Sequence, residues 1–333
     1  MLPVSRRAFC AGIAGLATLA SATTVCRAGA AVTLKIGTLA PQGSPWASAF
    51  NRIADEVKKN TNGEVLLDVR FAYGDELRMV ADMRNGVLDG AALTAIGLAQ
   101  IYLDVLLFQL PGLFTSWPKL EAARRAMKPE LDAELGKRGF TVLGWGDVGA
   151  AKIMSNGFDV KTPNDLRGKN AYVIAGDPIG PAFYARLRET PPKQIAMMDI
   201  LPGLNSGAIN VLLSPALAAE QLQWASRVTH INTMTVGFGV GATIVTTSKY
   251  QQISEDRRRE WAAKGSAAGD EISKAIRHAD AQAFARLKTR KIAYDPTDAD
   301  RAEWRKLFEE TRAQLRGATF TASTYDKIVK LAQ

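Results

Sequence analysis

The sequence predicts a two-lobed α/β fold with mostly parallel sheets, strands that cross between the lobes, and long C-terminal helices. Three observations support this prediction. Strand patterns alternate with amphipathic helix patterns along the first part of the chain, which is typical of parallel sheets covered by helices. A similar series recurs downstream, and glycine-punctuated strand patterns adjoin it. From about residue 254 onward the patterns are helical.

The first series occupies residues 32–96. Residues 32–38 predict a strand, and Ser44-Pro45 marks a helix start with serine as N-cap. Residues 65–71 alternate between apolar and polar side chains, as a half-buried strand does. Asp75 caps a second predicted helix, and the apolar residues 91–96 predict a buried strand.

The second series begins at Thr162-Pro163, which predicts another helix start. The elements that follow are a strand at 170–174, a helix at 178–187, a short helix from about 199 to 206, and a strand at 209–213. Residues 85–90 and 206–211 resemble each other, and each segment lies between a helix and a buried strand. This weak internal symmetry favours two lobes of similar design.

Two glycine-punctuated stretches, residues 142–153 and 236–247, are hinge candidates because glycine permits bending. We expect lobe I to comprise residues 32–145 with about 240–260, and lobe II to comprise residues 146–239. A helical segment from about 254 to 333 should pack on both lobes, and Gly265 marks a candidate break or kink in its first helix. Domain interfaces are where small-molecule pockets collect, so a cleft between the lobes is the expected site.

The first thirty residues predict a signal peptide that is cleaved near Ala30. Arg6-Arg7 precedes an apolar run at residues 11–22, and Ala28-Gly29-Ala30 supplies the small residues of a cleavage site. The arginine pair followed by Phe9 favours twin-arginine export, with a Sec signal as the alternative. A lipoprotein anchor at Cys26 is a weaker hypothesis. We therefore expect an exported, periplasmic protein.

Cysteine content and charge exclude several classes of protein. Both cysteines, Cys10 and Cys26, lie in the predicted signal peptide, so the mature chain would have no disulfide, cysteine zinc site or cysteine nucleophile. The net charge of +9 falls to +6 without the three arginines of that segment. The densest basic run, residues 257–259, is flanked by acidic residues and indicates a solvated helix face. We expect no nucleic-acid binding.

The sequence contains no catalytic or metal-binding motif. His230 and His278 are far apart, and there is no nucleophile elbow, zinc-binding helix or phosphate loop. Asp147 stands beside hinge glycines and is interpreted as a hydrogen-bond acceptor of the hinge. We predict a binding protein without enzymatic activity, cofactor or metal.

Five short motifs follow one another at characteristic spacing. They are Leu34-Lys35-Ile36-Gly37-Thr38, Gly43-Ser44-Pro45-Trp46, Gly86-Val87-Leu88-Asp89-Gly90-Ala91, Leu110-Pro111-Gly112-Leu113-Phe114 and Thr162-Pro163-Asn164-Asp165-Leu166-Arg167-Gly168. With this order, the chain resembles the solute receptors of tripartite ATP-independent periplasmic (TRAP) transporters, of the dicarboxylate-receptor type, from about Leu34 to Ala262. The resemblance implies a periplasmic binding protein fold, a long helix spanning both lobes, and delivery of a small molecule to small and large membrane subunits.

The polar anchors that this resemblance implies are replaced here. The family arginine that pairs with a substrate carboxylate falls on Tyr172, and a further arginine near the hinge falls on Ala151. In the family motif G-x-x-D-G-Q-E-N-P the asparagine contacts the ligand, but Ser214 takes its place and Leu212-Leu213 replaces Gln-Glu. A carboxylate that leaves water needs a charged, hydrogen-bonding partner. We therefore predict an apolar, aromatic-bearing or neutral polar ligand.

The predicted ligand-binding residues combine these substitutions with aromatic, methionine and polar residues. They are Trp46, Tyr73, Thr94, Trp145, Ala151, Lys152, Tyr172, Met197, Leu212, Leu213, Ser214 and Trp224. Three alternatives stay open. One is a carboxylate receptor in which Lys152 supplies the cation, and another is an orphan ligand or lipid carrier, or a sensor, that works with another periplasmic protein. The third is an enzyme on the same fold, for which the sequence offers no nucleophile-base pair.

Overall fold

The computed structural model describes residues 31–188 and 190–333, except the side chains of residues 262–268. The predicted signal peptide lies outside the described residues. The strands of the described chain are β1 (Val32–Thr38), β2 (Val65–Arg70), β3 (Gly90–Thr94), β4 (Phe140–Ser155), β5 (Tyr172–Ile174), β6 (Lys193–Ile195), β7 (Val211–Pro215), β8 (His230–Thr246) and β9 (Ile292–Tyr294). The α-helices are α1 (Pro45–Asn60), α2 (Glu76–Arg84), α3 (Ala95–Ala99), α4 (Trp117–Lys137), α5 (Ile179–Tyr184), α6 (Ile200–Ser206), α7 (Ala216–Gln221), α8 (Thr247–Tyr250), α9 (Glu255–Arg290), α10 (Asp298–Leu315) and α11 (Ala322–Ala332).

Cap geometry confirms two predicted helix starts. The Ser44 side chain accepts a hydrogen bond from the amide of Ala47 at 3.1 Å, and Pro45 is the first helical residue. Asp75 caps α2 in the same way, accepting from the amide of Arg78 at 2.8 Å. These bonds satisfy amides that the first turn of a helix leaves unpaired.

Several predicted elements differ from the prediction in type or extent, among them the strand predicted at 209–213, which spans Val211–Pro215. The start at Thr162 produces only a 3-10 turn, Pro163–Leu166. The helix predicted at 178–187 spans only Ile179–Tyr184. The strand predicted at 91–96 ends at Thr94, because the Thr94 side chain accepts from the amide of Ile96 and so caps α3.

The main sheet is mixed and continuous through the molecule, with strand order β2-β1-β3-β8-β4-β7 and β9 beside β8. β2, β1 and β3 are parallel, and so are β9 with β8 and the separate pair β5-β6. β8 and β4 run antiparallel to each other, with β3 and β7 antiparallel on either side of them. The ladder between β4 and β8 has three register shifts, which bend strands locally.

The two long strands β4 and β8, which we call the crossing strands, contribute to both halves of the molecule. We use lobe I for the part built on β1–β3 and α1–α4, and lobe II for the part built on β5–β7 and α5–α7. A large apolar cluster that includes Leu98, Leu107 and Met127 fills lobe I, and another that includes Ile200 and Leu212 fills lobe II. The predicted boundaries at 145/146 and 239/240 fall inside β4 and β8. The division at those residues stays a prediction.

Helix α9 is continuous through Gly265 over its 36 residues, which corresponds to about 54 Å at 1.5 Å per residue. It contacts α1, β4, α7 and β9, and therefore elements of both lobes. The approach to β4 is close at Gly269, where an added Cβ would lie 2.7 Å from the Trp145 carbonyl oxygen. None of the helices in the described ranges has the length and apolar character needed to cross a membrane.

Candidate ligand-binding site

A cavity of about 420 Å³ lies between the two lobes. Its walls come from the carboxyl ends of β1 and β3, the start of α1, the crossing strands, α9, and lobe II from β5 to α7. The aromatic residues that line it are Trp46, Phe50, Trp145, Tyr172, Phe183, Tyr184, Trp224, Phe238 and Trp261. Its volume and its position at a lobe interface are those of a small-molecule site.

The structure brings nine of the twelve predicted site residues to this cavity. They are Trp46, Thr94, Trp145, Ala151, Tyr172, Met197, Leu213, Ser214 and Trp224. Trp46 belongs to α1 of lobe I but packs against the apolar cluster of lobe II, so it bridges the lobes. The contact of these residues with a ligand stays a prediction.

Tyr73 and Leu212 do not line the cavity, which corrects the sequence-based expectation. Leu212 is fully buried in the lobe II core. Side chains alternate between the faces of a strand, so Leu212 and the cavity-lining Leu213 point in opposite directions. Tyr73 packs beside the lobe I core, and its hydroxyl donates to Asp82 at 2.9 Å.

Lys152 also lies away from the cavity, on the opposite face of β4 from Ala151. Its Nζ donates to the carbonyl oxygen of Thr233 at 2.8 Å and to Thr235 Oγ1 at 2.7 Å, and it lies 4.4 Å from the centre of the Phe284 ring. Burial lowers the pKa of Lys152 to about 8. The cation of the carboxylate-receptor alternative is therefore engaged elsewhere.

Among the described residues that line the cavity there is no lysine, arginine or histidine, but there are three carboxylates, Glu76, Asp147 and Asp177. Glu76 and Asp177 are not among the residues predicted from the sequence to line the site. Glu76 accepts from the amide of Thr94 at 2.5 Å and from its Oγ1 at 2.7 Å. Burial raises the pKa of Glu76, because a low-dielectric site disfavours the charged form.

Asp177 caps α5 from the cavity wall. Its carboxylate accepts from the amides of Ile179 at 2.8 Å and Gly180 at 3.2 Å. Burial raises the pKa of Asp177, although these two bonds oppose the shift. An aspartate and a proline just before a predicted helix are a capping signal, which identifies the cap but does not show that it faces a cavity.

Asp147 lies in an ion-pair cluster on β4, where its carboxylate accepts hydrogen bonds from Arg124 and Arg277. Its interpretation as an acceptor agrees with these bonds, and the hinge role of the strand stays a prediction. The Asp147 side chain is fully enclosed and pairs with Arg124 at 2.5 Å and with Arg277 at 2.5 Å. Arg277 also pairs with Glu121 at 2.8 Å and lies 4.4 Å from the centre of the Trp117 ring. The negative charge of Asp147 is therefore compensated within the protein.

The polar atoms of other predicted residues are occupied as well. Trp145 Nε1 donates to Asp132 at 2.9 Å, and Ser214 Oγ donates to the carbonyl oxygen of Pro215 at 2.9 Å. Tyr172 donates through its hydroxyl to the carbonyl oxygen of Leu213 at 3.4 Å. The positions at which the resemblance implies an arginine and an asparagine thus present an aromatic ring and a satisfied hydroxyl.

Comparison with known proteins identifies the family. The family model of bacterial extracellular solute-binding proteins, family 7, matches residues 36–316. The chain belongs to this family. The resemblance to TRAP solute receptors inferred from the motifs is confirmed, and this solute-binding protein is a receptor rather than an enzyme.

Two bacterial proteins are similar to parts of this solute-binding protein. The uncharacterized protein y4mM of Sinorhizobium fredii is 28% identical over 211 residues, which is 62% of this chain and 38% of that protein. The C4-dicarboxylate-binding protein DctB of Bacillus subtilis is 23% identical over 163 residues, which is 46% of this chain and 44% of that protein. The chain spans less than half the length of either relative.

Solved structures of TRAP periplasmic solute-binding proteins share the fold. The protein from Ralstonia eutropha, with bound (S)-2-acetolactate, has a TM-score of 0.78 at 21% identity over 90% of this chain and 99% of that one. The protein from Desulfovibrio salexigens, with bound orotic acid, has a TM-score of 0.81 at 18% identity over 90% and 97%. The protein from Shewanella oneidensis, with bound succinate, has a TM-score of 0.82 at 15% identity over 91% and 100%. These likenesses establish the two-lobed fold.

Proposed function

We propose that this solute-binding protein captures a small apolar or aromatic-bearing neutral molecule in the interlobe cavity and delivers it to TRAP-type membrane subunits. The composition of the cavity wall carries the proposal. The described lining residues include nine aromatic side chains and no lysine, arginine or histidine. The three carboxylates of the wall are engaged by protein amides, hydroxyls or arginines.

The cavity wall lacks the cationic side chain that a carboxylate ligand needs, among the residues that the structure describes. Succinate and orotic acid, bound by the structural neighbours, are carboxylic acids. Such a group entering this cavity would lose its water shell without gaining a cation, at a cost of several kcal/mol. Tyr172 and Ala151, at the positions of the implied arginines, both line the cavity. These substitutions support a neutral ligand.

The place of action and the partner follow from the family and the N-terminus. The family is extracellular, and the predicted signal peptide fits export to the periplasm. Closure of two lobes around a ligand is a common motion of such receptors. The proposed partners are therefore the small and large TRAP membrane subunits. An orphan carrier or sensor would use the same cavity with another periplasmic protein, and co-purification with the membrane subunits separates the two.

The direct test is to purify the mature protein gently and to identify bound small molecules by native mass spectrometry, with extraction and fragmentation of any adduct. We expect a neutral apolar or aromatic compound. Leu213→Arg places a long charged side chain at the cavity and should remove the adduct, because Leu213 lines the wall. Leu103→Arg is the matched control, since Leu103 is similarly exposed but lies outside the cavity. A bound carboxylate in the wild-type protein would contradict the proposed ligand class.

A further inference from the structure

Tyr184, at the end of α5, lines the cavity with a hydroxyl that has no hydrogen-bond partner among the described residues. All seven tyrosines of the chain lie in the described ranges. Five of the other six have a hydrogen-bond partner for the hydroxyl: Tyr73 with Asp82, Tyr102 with Asp104, Tyr172 with Leu213, Tyr250 with Arg258 and Tyr294 with Asp300. The sixth, Tyr325, lies outside the cavity. Of the two tyrosines of the cavity wall, Tyr172 is thus paired through its hydroxyl and Tyr184 is not.

Exposure to bulk water does not explain why the Tyr184 hydroxyl has no partner. Tyr184 is only 6% exposed, and its ring lies 5.0 Å from that of Phe183 in an edge-to-face arrangement. The Tyr184 hydroxyl is not one of the fully enclosed polar atoms without a partner, so its oxygen keeps some accessible surface. A largely buried hydroxyl of this kind is normally satisfied by a hydrogen bond. The Tyr184 hydroxyl faces a space large enough for a small molecule, and an occupant of that space would supply the missing acceptor.

The surroundings of Tyr184 define the kind of acceptor. Burial raises the pKa of Tyr184, and Asp177 adds to the shift, so the hydroxyl stays protonated and remains a donor at neutral pH. Among the described residues that line the cavity, no cationic side chain is available to pair with an anionic acceptor of the ligand. A neutral oxygen loses much less hydration than a carboxylate on entering such a wall.

Trp224 offers a second donor of the same kind. It is 5% exposed, lines the cavity, and its indole N–H has no hydrogen-bond partner among the described residues. The indole of Trp145 donates to Asp132, and the half-buried Trp46 has no described partner for its indole N–H either, so Trp224 is distinguished by its deeper burial. Buried tryptophan N–H groups usually have a partner, so Trp224 also fits a ligand acceptor.

We propose that Tyr184 is the specificity-determining donor of this cavity, assisted by Trp224, and that the ligand is an apolar or aromatic molecule carrying a neutral oxygen acceptor such as a ketone, ester or amide carbonyl. The inference rests on the proposed function and narrows its ligand class. It also assigns the hydrogen-bonding role to lobe II residues other than Tyr172 and Ser214, which occupy the positions of the family anchors.

Three probes of nearly equal shape test the proposal: 2-acetylnaphthalene, 2-ethylnaphthalene and 2-naphthoate, titrated by calorimetry into the mature protein. We expect the ketone to bind about five- to tenfold more tightly than the hydrocarbon, as one hydrogen bond allows. Tyr184→Phe should abolish that preference. Tyr294→Phe is the control, because it removes the same atom from a tyrosine outside the cavity whose hydroxyl donates to Asp300, and it should keep the preference within about twofold.

The outcomes separate this inference from the proposed function. Equal binding of ketone and hydrocarbon, or a preference unchanged in Tyr184→Phe, overturns the role of Tyr184 and leaves the neutral cavity in place. Binding of 2-naphthoate alone overturns both proposals, and so does the absence of binding by all three probes up to their solubility limits. Thermal denaturation of both variants shows whether the fold is retained. A further Trp224→Phe variant should weaken the binding of the ketone more than that of the hydrocarbon.

Discussion

Arg277 of α9 donates through Nε to the enclosed carboxylate of Asp147 on β4 at 2.6 Å. One turn further along α9, Asp280 accepts from the amide of Ala150 at 2.8 Å and from the amide of Leu217 at 2.9 Å. Asp147 pairs in addition with Arg124 of α4. Adjacent turns of α9 thus hold a helix of lobe I, a crossing strand, and the start of α7 in lobe II.

Removing the negative charge of Asp147 should destabilise the fold strongly. Asp147→Asn would leave Arg124 and Arg277 without their shared buried partner, and breaking a buried pair costs about 3–5 kcal/mol. Urea denaturation at pH 7 measures this loss. Asp326→Asn is the matched control, because the pair of Asp326 with Arg316 is also 2.5 Å long but half exposed, and such pairs contribute at most about 1 kcal/mol. Similar losses in the two variants would show that the cluster is not a stabilising element.

Gly269→Ala should lower the free energy of unfolding although alanine favours helices. Its Cβ would lie 2.7 Å from the Trp145 carbonyl oxygen, so α9 would have to move away from β4. Gly136→Ala in α4 meets no atom within 4 Å and should stabilise by about 0.5–1 kcal/mol. Thermal denaturation of both variants shows whether each substitution lowers or raises the melting temperature. A stabilising effect of Gly269→Ala would contradict the close approach of α9 to β4.

The buried Lys152 should make stability rise with pH in the alkaline range. Burial, opposed in part by the charge of Asp280, lowers its pKa from 10.5 to about 8 in the folded protein. Between these values the unfolded chain binds more protons, so the free energy of unfolding increases with pH, by up to about 3 kcal/mol for full relief. Urea denaturation from pH 7 to 9.5 measures the rise. Lys152→Met should lose it, whereas Lys306→Met on the exposed side of α10 should keep the wild-type slope.

Placing a cation in the cavity should create carboxylate binding. Ala151→Arg puts a guanidinium on the cavity face of β4, where it can form charge-assisted hydrogen bonds with a carboxylate. We expect succinate to bind this variant at least about tenfold more tightly than the wild type, as measured by calorimetry. Lys152→Arg keeps a cation on the other face of the strand and should bind no better than wild type. Tight succinate binding by the wild type would contradict the neutral cavity.

Capping residues and short apolar patterns correctly predicted the first strand and the starts of the first two helices. The bounds of β1 and the starts of α1 and α2 agree with the sequence prediction, because the caps at Ser44 and Asp75 depend on neighbouring residues alone. The crossing strands extend beyond the predicted stretches, since their ends at Ser155 and His230 pair with each other across the chain. The sequence near either end does not encode that pairing locally.

The candidate site shows a different limit. The adjacent pairs Ala151-Lys152 and Leu212-Leu213 were both predicted to face the ligand, yet neighbours on a strand point to opposite faces. One residue of each pair therefore had to be wrong, and the structure turns Lys152 and Leu212 away. Which member of each pair faces the cavity depends on the packing of β7 and α9 against β4. The position of Asp177 at the cavity also depends on tertiary packing, so the local sequence did not predict it.

The continuous ladder of β4 and β8, from Phe140 opposite Thr246 to Ser155 opposite His230, also bears on how the chain unfolds. Each lobe completes its sheet with half of the same two strands, so an excised lobe would expose unpaired strand edges, which favour aggregation. Heating should therefore melt both lobes in one cooperative transition, and a proteolytic cut between them should not yield two stable fragments. The ligand would bind in the space between the lobes, but both lobes should fold together as one unit because they share β4 and β8.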